Sequence, residues 1–204
     1  KYIGTPEQWD EAQSAMKRIL DHLGIEYAIG VGEAAFYGPK LDIQIKNVFG
    51  KEDTLITIQI DQLLAEKFGM EYVDADGKAK NPYIIHRTSI GCYERTLALL
   101  IEKYAGALPM WLMPEQVRVL PISEKFLDKA LKVLKAQGIR STADSRNEKI
   151  GYKIREAQME KIPYMLIIGE KEVQENVVSV RSRKDGVLGS MSLEAFLEKA
   201  LTEI

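Results

Sequence analysis

Alternating apolar and polar residues mark two neighbouring strands in the first half of the chain. Residues 41–46 read LDIQIK and residues 54–61 read TLITIQID, with a turn-forming VFGKED between them. Because successive side chains of a strand point to opposite faces, the pattern predicts a hairpin with an isoleucine face and a polar face. The polar face of the second strand carries Thr57, Gln59 and Asp61. It faces either solvent or a cleft, and the alternation alone favours solvent.

Helical periodicity lies on both sides of this hairpin. Thr5 and Gln8 form a capping-box pattern around a proline at the first helical position, and they predict a helix that ends at Gly24. A later amphipathic segment ends at Gly106 and has one apolar face, formed by Leu97, Leu100, Ile101 and Tyr104. That spacing predicts a second helix with one face for packing.

Strands and helices alternate beyond Pro114, where two prolines five residues apart predict a domain boundary between residues 1–113 and 114–204. The predicted elements are a strand from Val117 to Ile122, a helix from Ser123 to Gly138, a strand from Ile139, a helix through Ile154 and Ala157, strands at IPYMLIIG and VVSVRSR, and a helix opened by Ser192. A continuous apolar run such as IPYMLIIG is typical of a central strand. The alternation predicts a small α/β domain.

Composition and charge exclude some classes of protein. The single cysteine among 204 residues rules out an internal disulfide, and no apolar stretch is long enough to span a bilayer. We therefore expect a cytoplasmic protein without a membrane partner. Residues 1–113 hold 12 basic and 16 acidic residues, a charge of −4, and residues 114–204 hold 16 and 14, a charge of +2. The basic half points weakly to a polyanionic partner, and ordinary surface variation explains it equally well.

The stretch IIHRTSIGCYER, residues 84–95, predicts a strand, a short turn and the start of a helix. Gly91 lets a planar or phosphate-bearing ligand approach the backbone, and Arg95 in the first helical turn favours an anion. One glycine and one arginine are weak evidence, so a capped helix with a surface arginine is the simpler interpretation of this stretch by itself.

The wider sequence context favours a functional role. The segment IIHRTSIGCYERTLALLIEKYAGALPMWLMPEQV closely resembles the third signature motif of class II aminoacyl-tRNA synthetases. The segments GEAAFYGPK, ITIQID, SRNEKIGYKIREA and IPYMLIIGEKEV resemble, in the same order, the threonyl-tRNA synthetase family. The resemblance covers essentially the whole chain, although the first two class II motifs have no counterpart. It implies part of the antiparallel class II catalytic sheet with helices, the third motif at about 84–101, and then a mixed-sheet α/β anticodon-binding domain.

The resemblance also implies residue roles in ATP-dependent activation of threonine and its transfer to threonine tRNA. Arg95 corresponds to the catalytic arginine that grips the γ-phosphate of Mg²⁺-bound ATP. Gly91 leaves room for adenine, and Cys92 lies near the nucleotide, where many relatives have serine. Residues around the threonine substrate correspond to Tyr37, Thr57 and Gln59. This correspondence revises the solvent interpretation of the polar stripe, which is now expected to line the site.

In the same family, zinc has three protein ligands. The last of them corresponds to His86, and the other two are expected upstream of this chain. Positions that contact anticodon bases or the nearby backbone correspond to Asn147, Lys149, Arg155, Glu172 and Arg181. The family reads the middle G and the final U of the anticodon. The residue types suit this role, because Asn, Glu and Arg read base edges and Lys neutralises phosphate.

Other functions stay open at this stage. A full-length parent of this family is expected to be a homodimer, whereas this chain, without the first two motifs, is expected to be inactive alone. One alternative is therefore a non-catalytic tRNA-binding or synthetase-like regulatory module. Another is a prolyl-tRNA synthetase, which has the same domain order. The His86 context and the RNEKIG loop favour threonine over proline.

Overall fold

The computed structural model describes residues 2–122 and 127–204, and the chain divides into two compact units, Lys1–Leu99 and Leu100–Ile204. The elements of the first unit are α1 (Pro6–His22), β1 (Lys40–Lys46), β2 (Glu52–Asp61), α2 (Leu64–Lys67), β3 (Tyr72–Val73), β4 (Ala79–Lys80) and β5 (Ile84–Arg87). Helix α3 (Tyr93–Tyr104) begins in this unit. Helix α2, a single turn, was not predicted from the sequence.

Helix α1 starts as its sequence predicts. The hydroxyl of Thr5 accepts a hydrogen bond from the backbone N–H of Gln8 at 3.3 Å, and the side chain of Gln8 accepts one from the Thr5 N–H at 2.8 Å. The reciprocal bonds satisfy two N–H groups that the first helical turn leaves unpaired. Gly24 follows the helix in the left-handed conformation, with φ +64°.

Three antiparallel strands form the sheet of the first unit, in the order β1-β2-β5. The predicted hairpin is confirmed, because β1 and β2 pair along their length with one irregularity between Ile43 and Gln44. The strand predicted at the start of residues 84–95 is also confirmed, as β5, and a turn at Asp76 and Gly77 joins the small separate hairpin β3-β4.

The second unit contains a mixed five-stranded sheet in the order β10-β9-β8-β6-β7. Its elements are β6 (Val117–Pro121), α4 (Leu127–Ala136), β7 (Ser141–Ala143), α5 (Ile150–Met159), β8 (Tyr164–Ile168), α6 (Glu170–Gln174), β9 (Val178–Ser182), β10 (Gly186–Met191) and α7 (Leu193–Leu201). Strand β6 runs parallel to β7 and β8, whereas β9 and β10 are antiparallel to their neighbours. Helix α6 and strand β10 were not predicted from the sequence. The predicted helix cap Ser123 lies outside the described residues.

Two apolar clusters cover opposite faces of the mixed sheet. The larger contains Phe196 of α7 and Leu134 of α4, and the smaller contains Ala157 of α5. Tyr164 packs edge-on against Phe196 with the ring centroids 5.4 Å apart. The antiparallel sheet of the first unit and this helix-covered mixed sheet confirm the predicted combination of α+β and α/β folds. Among the described residues, no helix is long and apolar enough to cross a membrane.

The predicted domain boundary between 113 and 114 stays a prediction. Residues just before it lie in the second unit, Leu100–Ile204: Met110 belongs to the larger cluster, and the backbone carbonyl of Leu108 accepts a hydrogen bond from Arg183 at 2.7 Å.

Candidate functional site

The sheet of the first unit brings the predicted substrate residues onto one face. Lys40 lies opposite Gln59 in the register of β1 and β2, and Gln59 lies opposite His86 in the register of β2 and β5. Thr57 and Asp61, two residues either side of Gln59, point the same way because side chains alternate along a strand. One polar surface therefore crosses all three strands.

Burial on this sheet is inverted relative to the simplest expectation. Gln59 is 9% exposed and Asp61 is 2% exposed, whereas Ile43 and Ile85 on the isoleucine face are 45% and 65% exposed. The initial solvent interpretation is thus wrong for Gln59 and Asp61. Burying polar groups is unfavourable unless they are hydrogen-bonded, so each of them needs partners.

Asp61 has such partners and orients His86. Its Oδ2 lies 2.9 Å from Nε2 of His86, and its Oδ1 accepts hydrogen bonds from the backbone N–H groups of Leu63 and Leu64 at 2.8 and 3.0 Å. Burial opposes ionisation of Asp61, but the hydrogen bonds from His86 and the two amides outweigh it and lower the pKa of the carboxyl group. The ionised carboxylate fixes the Nε2 side of the imidazole and leaves Nδ1 for another contact.

Gln59 and Thr57, the other polar residues of β2 on this face, each form a side-chain hydrogen bond. The Tyr37 hydroxyl donates to Oε1 of Gln59 at 3.0 Å, and the Thr57 hydroxyl donates to Oδ1 of Asp42 at 2.7 Å. Lys40 forms an ion pair with the other oxygen of Asp42. Burial raises the pKa of Asp42, but the hydrogen bonds from Lys40 and Thr57 lower it further than burial raises it. Asp42 was not singled out from the sequence, although the hairpin register places it directly opposite Thr57.

The turn before α3 packs directly on β2. Gly91 has φ +76°, and a Cβ atom there would lie 2.0 Å from the carbonyl oxygen of Leu55. Arg95 is exposed, and its Nη1 donates to the carbonyl of Thr54 at 2.8 Å. Cys92 is also exposed, and its thiol donates to the Glu94 carboxylate at 3.0 Å. Within this chain, Gly91 is therefore needed for the close approach of two backbone segments.

Residues 2–122 and 127–204 contain no group of three or more His, Cys, Asp or Glu side chains that could hold a metal ion. His86 supplies one imidazole, and Asp61 is engaged as its hydrogen-bond partner. A catalytic zinc site needs three protein ligands. These residues fit one ligand and its orienting carboxylate, and do not make a complete zinc site.

A network of charged residues fixes the polar loop before α5 in the second unit. Arg146 donates two hydrogen bonds to the buried carboxylate of Asp144, at 2.8 and 2.7 Å, and also bonds Glu156. The hydrogen bond from Arg146 lowers the pKa of Asp144 to about 2. Beneath the loop, the ammonium of the buried Lys153 donates to the Asp144 carbonyl at 2.9 Å. This network was not predicted from the sequence, and its contacts to Lys153 and Glu156 join the loop to a different element, α5.

The predicted anticodon residues lie on elements around this loop and on the neighbouring strand. Asn147, Lys149 and Arg155 are exposed, in the loop and on α5. Glu172 on α6 and Arg181 on β9 are partly buried. The Nε atom of Arg181 is buried and has no hydrogen-bond partner in the described part of the chain.

Glu172 is held by bonds to both of its carboxylate oxygens. The backbone N–H of Gly169 donates to Oε2 at 2.9 Å, and the Ser179 hydroxyl donates to Oε1 at 2.7 Å. The bond from Ser179 is the main cause of a lowered pKa at Glu172. Ser179 was also not predicted from the sequence, because no local pattern pairs it with a residue on a different element.

Two family models match the chain. Residues 4–104 match the tRNA synthetase class II core domain (G, H, P, S and T), and residues 116–203 match the anticodon binding domain. Among curated proteins, the threonine–tRNA ligase of Clostridium perfringens strain 13 is 60% identical, and that of Clostridium botulinum strain Eklund 17B is 61% identical, each over 207 residues. Both alignments cover 100% of this chain and 32% of the relative, so the chain spans about a third of their length.

Two solved structures that resemble this chain are also named as threonyl-tRNA synthetases. The RNA binding domain of threonyl-tRNA synthetase from Cryptosporidium parvum Iowa II matches 100% of this chain and 52% of its own, with 35% identity and a TM-score of 0.87. A putative threonyl-tRNA synthetase from Aeropyrum pernix matches 99% of this chain and 50% of its own, with 28% identity and a TM-score of 0.75.

Proposed function

Because this chain belongs to the threonyl-tRNA synthetase family of class II aminoacyl-tRNA synthetases, we propose that it is part of a threonine–tRNA ligase. The parent enzyme activates threonine with Mg²⁺ and ATP and transfers it to threonine tRNA. The observation that carries the proposal is the polar face of β1, β2 and β5, on which Gln59 and Asp61 are buried and hydrogen-bonded. The expected compartment is the cytoplasm.

Thr57 and Gln59 of this face, together with Tyr37 from the loop before β1, are proposed to bind threonine. Oε1 of Gln59 accepts from Tyr37, so the NH₂ group of Gln59 remains free to donate to a substrate oxygen. Thr57 adds a hydroxyl, fixed by its bond to Asp42. A site made of hydrogen-bonding groups favours threonine over valine, which has the same shape and lacks the hydroxyl.

His86 is proposed as one zinc ligand, with Asp61 as the carboxylate that orients its ring. Metal-bound histidines commonly donate their other ring N–H to a carboxylate, which matches the contact between His86 and Asp61. The remaining ligands would come from the part of the parent that this chain lacks. When bound, zinc supplies a Lewis acid for the amino and hydroxyl groups of threonine.

The turn before α3 is proposed to bind ATP. One nitrogen of the Arg95 guanidinium is bonded to the carbonyl of Thr54, which fixes the side chain and leaves other N–H donors for the γ-phosphate. Gly91 and Cys92 would lie beside the adenine. A fixed positive charge at the phosphates offsets the charge that develops on the leaving pyrophosphate.

The second unit is proposed to bind the anticodon arm of threonine tRNA. Glu172 presents a carboxylate with both oxygens oriented, and guanine has two adjacent donors on its Watson–Crick edge, so Glu172 suits the middle G. Arg181 would contact the same region, whereas Asn147, Lys149 and Arg155 would contact the remaining bases and the backbone. The parent is proposed to be a homodimer and this chain to be mainly monomeric.

A titration of the 204-residue chain against RNA stem-loops tests the proposal. We expect tight binding of the threonine anticodon arm, weaker binding when the middle base is changed, and weaker binding of a proline anticodon arm. Glu172→Ala or Arg181→Ala should cost roughly 1–3 kcal/mol and relax preference at one base. Equal binding of matched and swapped arms would refute the assignment of the anticodon residues, and preference for the proline arm would favour the prolyl enzyme.

A catalytic assay separates a ligase from a non-catalytic module. His86→Ala in the full-length parent should lose discrimination against valine together with zinc. Unchanged discrimination would remove His86 from the site, and a parent without threonine-dependent ATP–pyrophosphate exchange would favour a regulatory RNA-binding protein.

A further inference from the structure

The carboxylate of Glu172 is the end of a chain of three hydrogen-bonded side chains. Oγ of Ser179 lies 2.7 Å from Oε1 of Glu172 and 3.1 Å from Oγ of Ser190. A serine hydroxyl has one hydrogen and accepts with its lone pairs, so when Ser179 donates to Glu172 it accepts from Ser190. In this chain of hydrogen bonds, Ser190 therefore donates to Ser179, and Ser179 donates to Glu172.

The pairing of β9 with β10 fixes the geometry of these hydrogen bonds. Ser179 and Ser190 are directly opposite each other in the register of β9 and β10, and Glu172 is held from the other side by the N–H of Gly169 at 2.9 Å. Two anchors, one on each oxygen, set the plane of the carboxylate. Rotation about the last bond of a glutamate side chain is otherwise broad, so a single anchor at Gly169 would let the group pivot.

We infer that Ser179 is a positioning residue that sets the preference of Glu172 for guanine. The inference rests on the proposed function, because it assumes that the middle anticodon base reaches Glu172. Each carboxylate oxygen of Glu172 accepts one bond from the protein and has a second lone pair available. With the plane fixed, the two free lone pairs can accept from N1–H and from the 2-amino group of guanine together.

Loss of the Ser179 hydroxyl leaves the charge of Glu172 but not its orientation. A pivoting carboxylate still accepts from N1–H, which inosine shares with guanine, but it loses the simultaneous contact to the 2-amino group. Removal of the Ser179 hydroxyl should therefore reduce the difference in affinity between RNAs with guanine and RNAs with inosine at the middle position. A general loss of folding would weaken both RNAs equally.

The test uses the 204-residue chain and three stem-loops of the threonine anticodon arm, with guanine, inosine or adenine at the middle position. The wild type should bind the guanine RNA about tenfold tighter than the inosine RNA, the effect of one charge-assisted hydrogen bond. Ser179→Ala should bring that ratio to about one and weaken the guanine RNA by about tenfold. Ser179→Thr, which keeps the hydroxyl and suits a strand, should restore the ratio, and Ser190→Ala should lower it by a smaller factor.

The outcomes separate this inference from the proposed function. If the wild type binds the guanine and adenine RNAs equally, the proposed anticodon role fails. If the wild type prefers guanine over adenine but Ser179→Ala weakens the guanine and inosine RNAs by the same factor, only the positioning role of Ser179 is wrong. A Ser179→Thr variant that is folded by circular dichroism and does not restore the ratio would likewise overturn the positioning role.

Discussion

The two units of this chain bury different kinds of residue. Among the described residues, the buried apolar side chains of the first unit are Ala12, Leu20 and Ala65, whereas the second unit buries a large apolar cluster around Phe196 and Leu134. The most enclosed positions on the first sheet are polar, Gln59 and Asp61. The first unit therefore buries hydrogen-bonded polar residues where chemistry is proposed, and the second unit has an apolar core of its own.

This contrast teaches where stability and function lie in the chain. Apolar burial is the dominant favourable contribution to folding, so the second unit has what an independent domain needs. The first unit has a three-stranded sheet whose isoleucine face is only partly buried, and the chain spans about a third of the length of its curated relatives. Its polar site is shaped by hydrogen bonds between its own strands and loops, and its activity is proposed to need the rest of the parent.

The largest expected effect is on catalysis by the chain alone. No stretch of the 204-residue chain resembles the first two class II motifs, so we expect part of the preorganised charge around ATP to be missing. We expect threonine-dependent ATP–pyrophosphate exchange several orders of magnitude below ordinary enzyme turnover of about 10 per second. Exchange near that turnover would show that the first unit contains a complete catalytic site. The proposed difference between the two units, in which only the first depends on the rest of the parent, would then be wrong.

The second effect is on stability and compares one apolar residue from each unit. Phe196→Ala removes a fully buried ring that packs on Tyr164, so it should lower the free energy of unfolding of the second unit by about 3–5 kcal/mol. Ile85→Ala, at a position 65% exposed, is the matched control and should change stability by less than about 0.5 kcal/mol. Urea denaturation followed by circular dichroism measures both. Equal costs would mean that the first unit also depends on an apolar core.

Short-range patterns in the sequence were sufficient for much of the fold. The cap at Thr5, the hairpin of β1 and β2, and the central strand β8 depend on alternation, turn residues or apolar runs within one segment. Strand β10 was missed because its two glycines weaken the strand pattern, and α6 was missed because five residues are too few to show helical periodicity.

The residues of the candidate sites were predicted only from the resemblance of their sequence segments to a known family, and their contacts were not predicted. Their contacts join residues on different elements: His86 contacts Asp61, Arg95 contacts the backbone of Thr54, and Glu172 contacts Ser179. No local pattern encodes these pairings. The burial of Gln59 and Asp61 was also not readable from alternation, since a polar stripe looks the same in solvent and in a cleft.

A third effect is the acid sensitivity of the second unit. The pKa of Asp144 is about 2, below its ordinary value of 3.8, because Arg146 stabilises the ionised form. A lowered folded-state pKa contributes stability above the unfolded value, and that contribution is lost as the pH falls from about 4 through 2. Asp144→Asn should cost about 1–2 kcal/mol at pH 7, after allowance for screening at the partly exposed Arg146, and should flatten the loss of stability between pH 4 and pH 2.

The exposed Glu198 of α7 provides a control for this experiment. Glu198→Gln should change the stability at pH 7 by less than about 0.5 kcal/mol. Denaturation curves at several pH values measure the effect. An acid limb that keeps its wild-type slope in Asp144→Asn would mean that another carboxyl group controls the acid sensitivity of the second unit.

The smallest effect concerns salt, and it tests whether the second unit reads RNA on the α5 side of its sheet. Lys149 is exposed at the start of α5, whereas Lys199 is exposed on α7, which packs in the cluster on the opposite face. Each lysine that neutralises a phosphate releases counterions, so Lys149→Ala should reduce the slope of log affinity against log salt by about one. It should weaken matched and swapped stem-loops by the same factor, because a phosphate contact carries no base information. Lys199→Ala should leave both the slope and the affinities unchanged in titrations at two salt concentrations. A larger slope change for Lys199 than for Lys149 would move the RNA to the α7 face, away from Glu172 and Arg181.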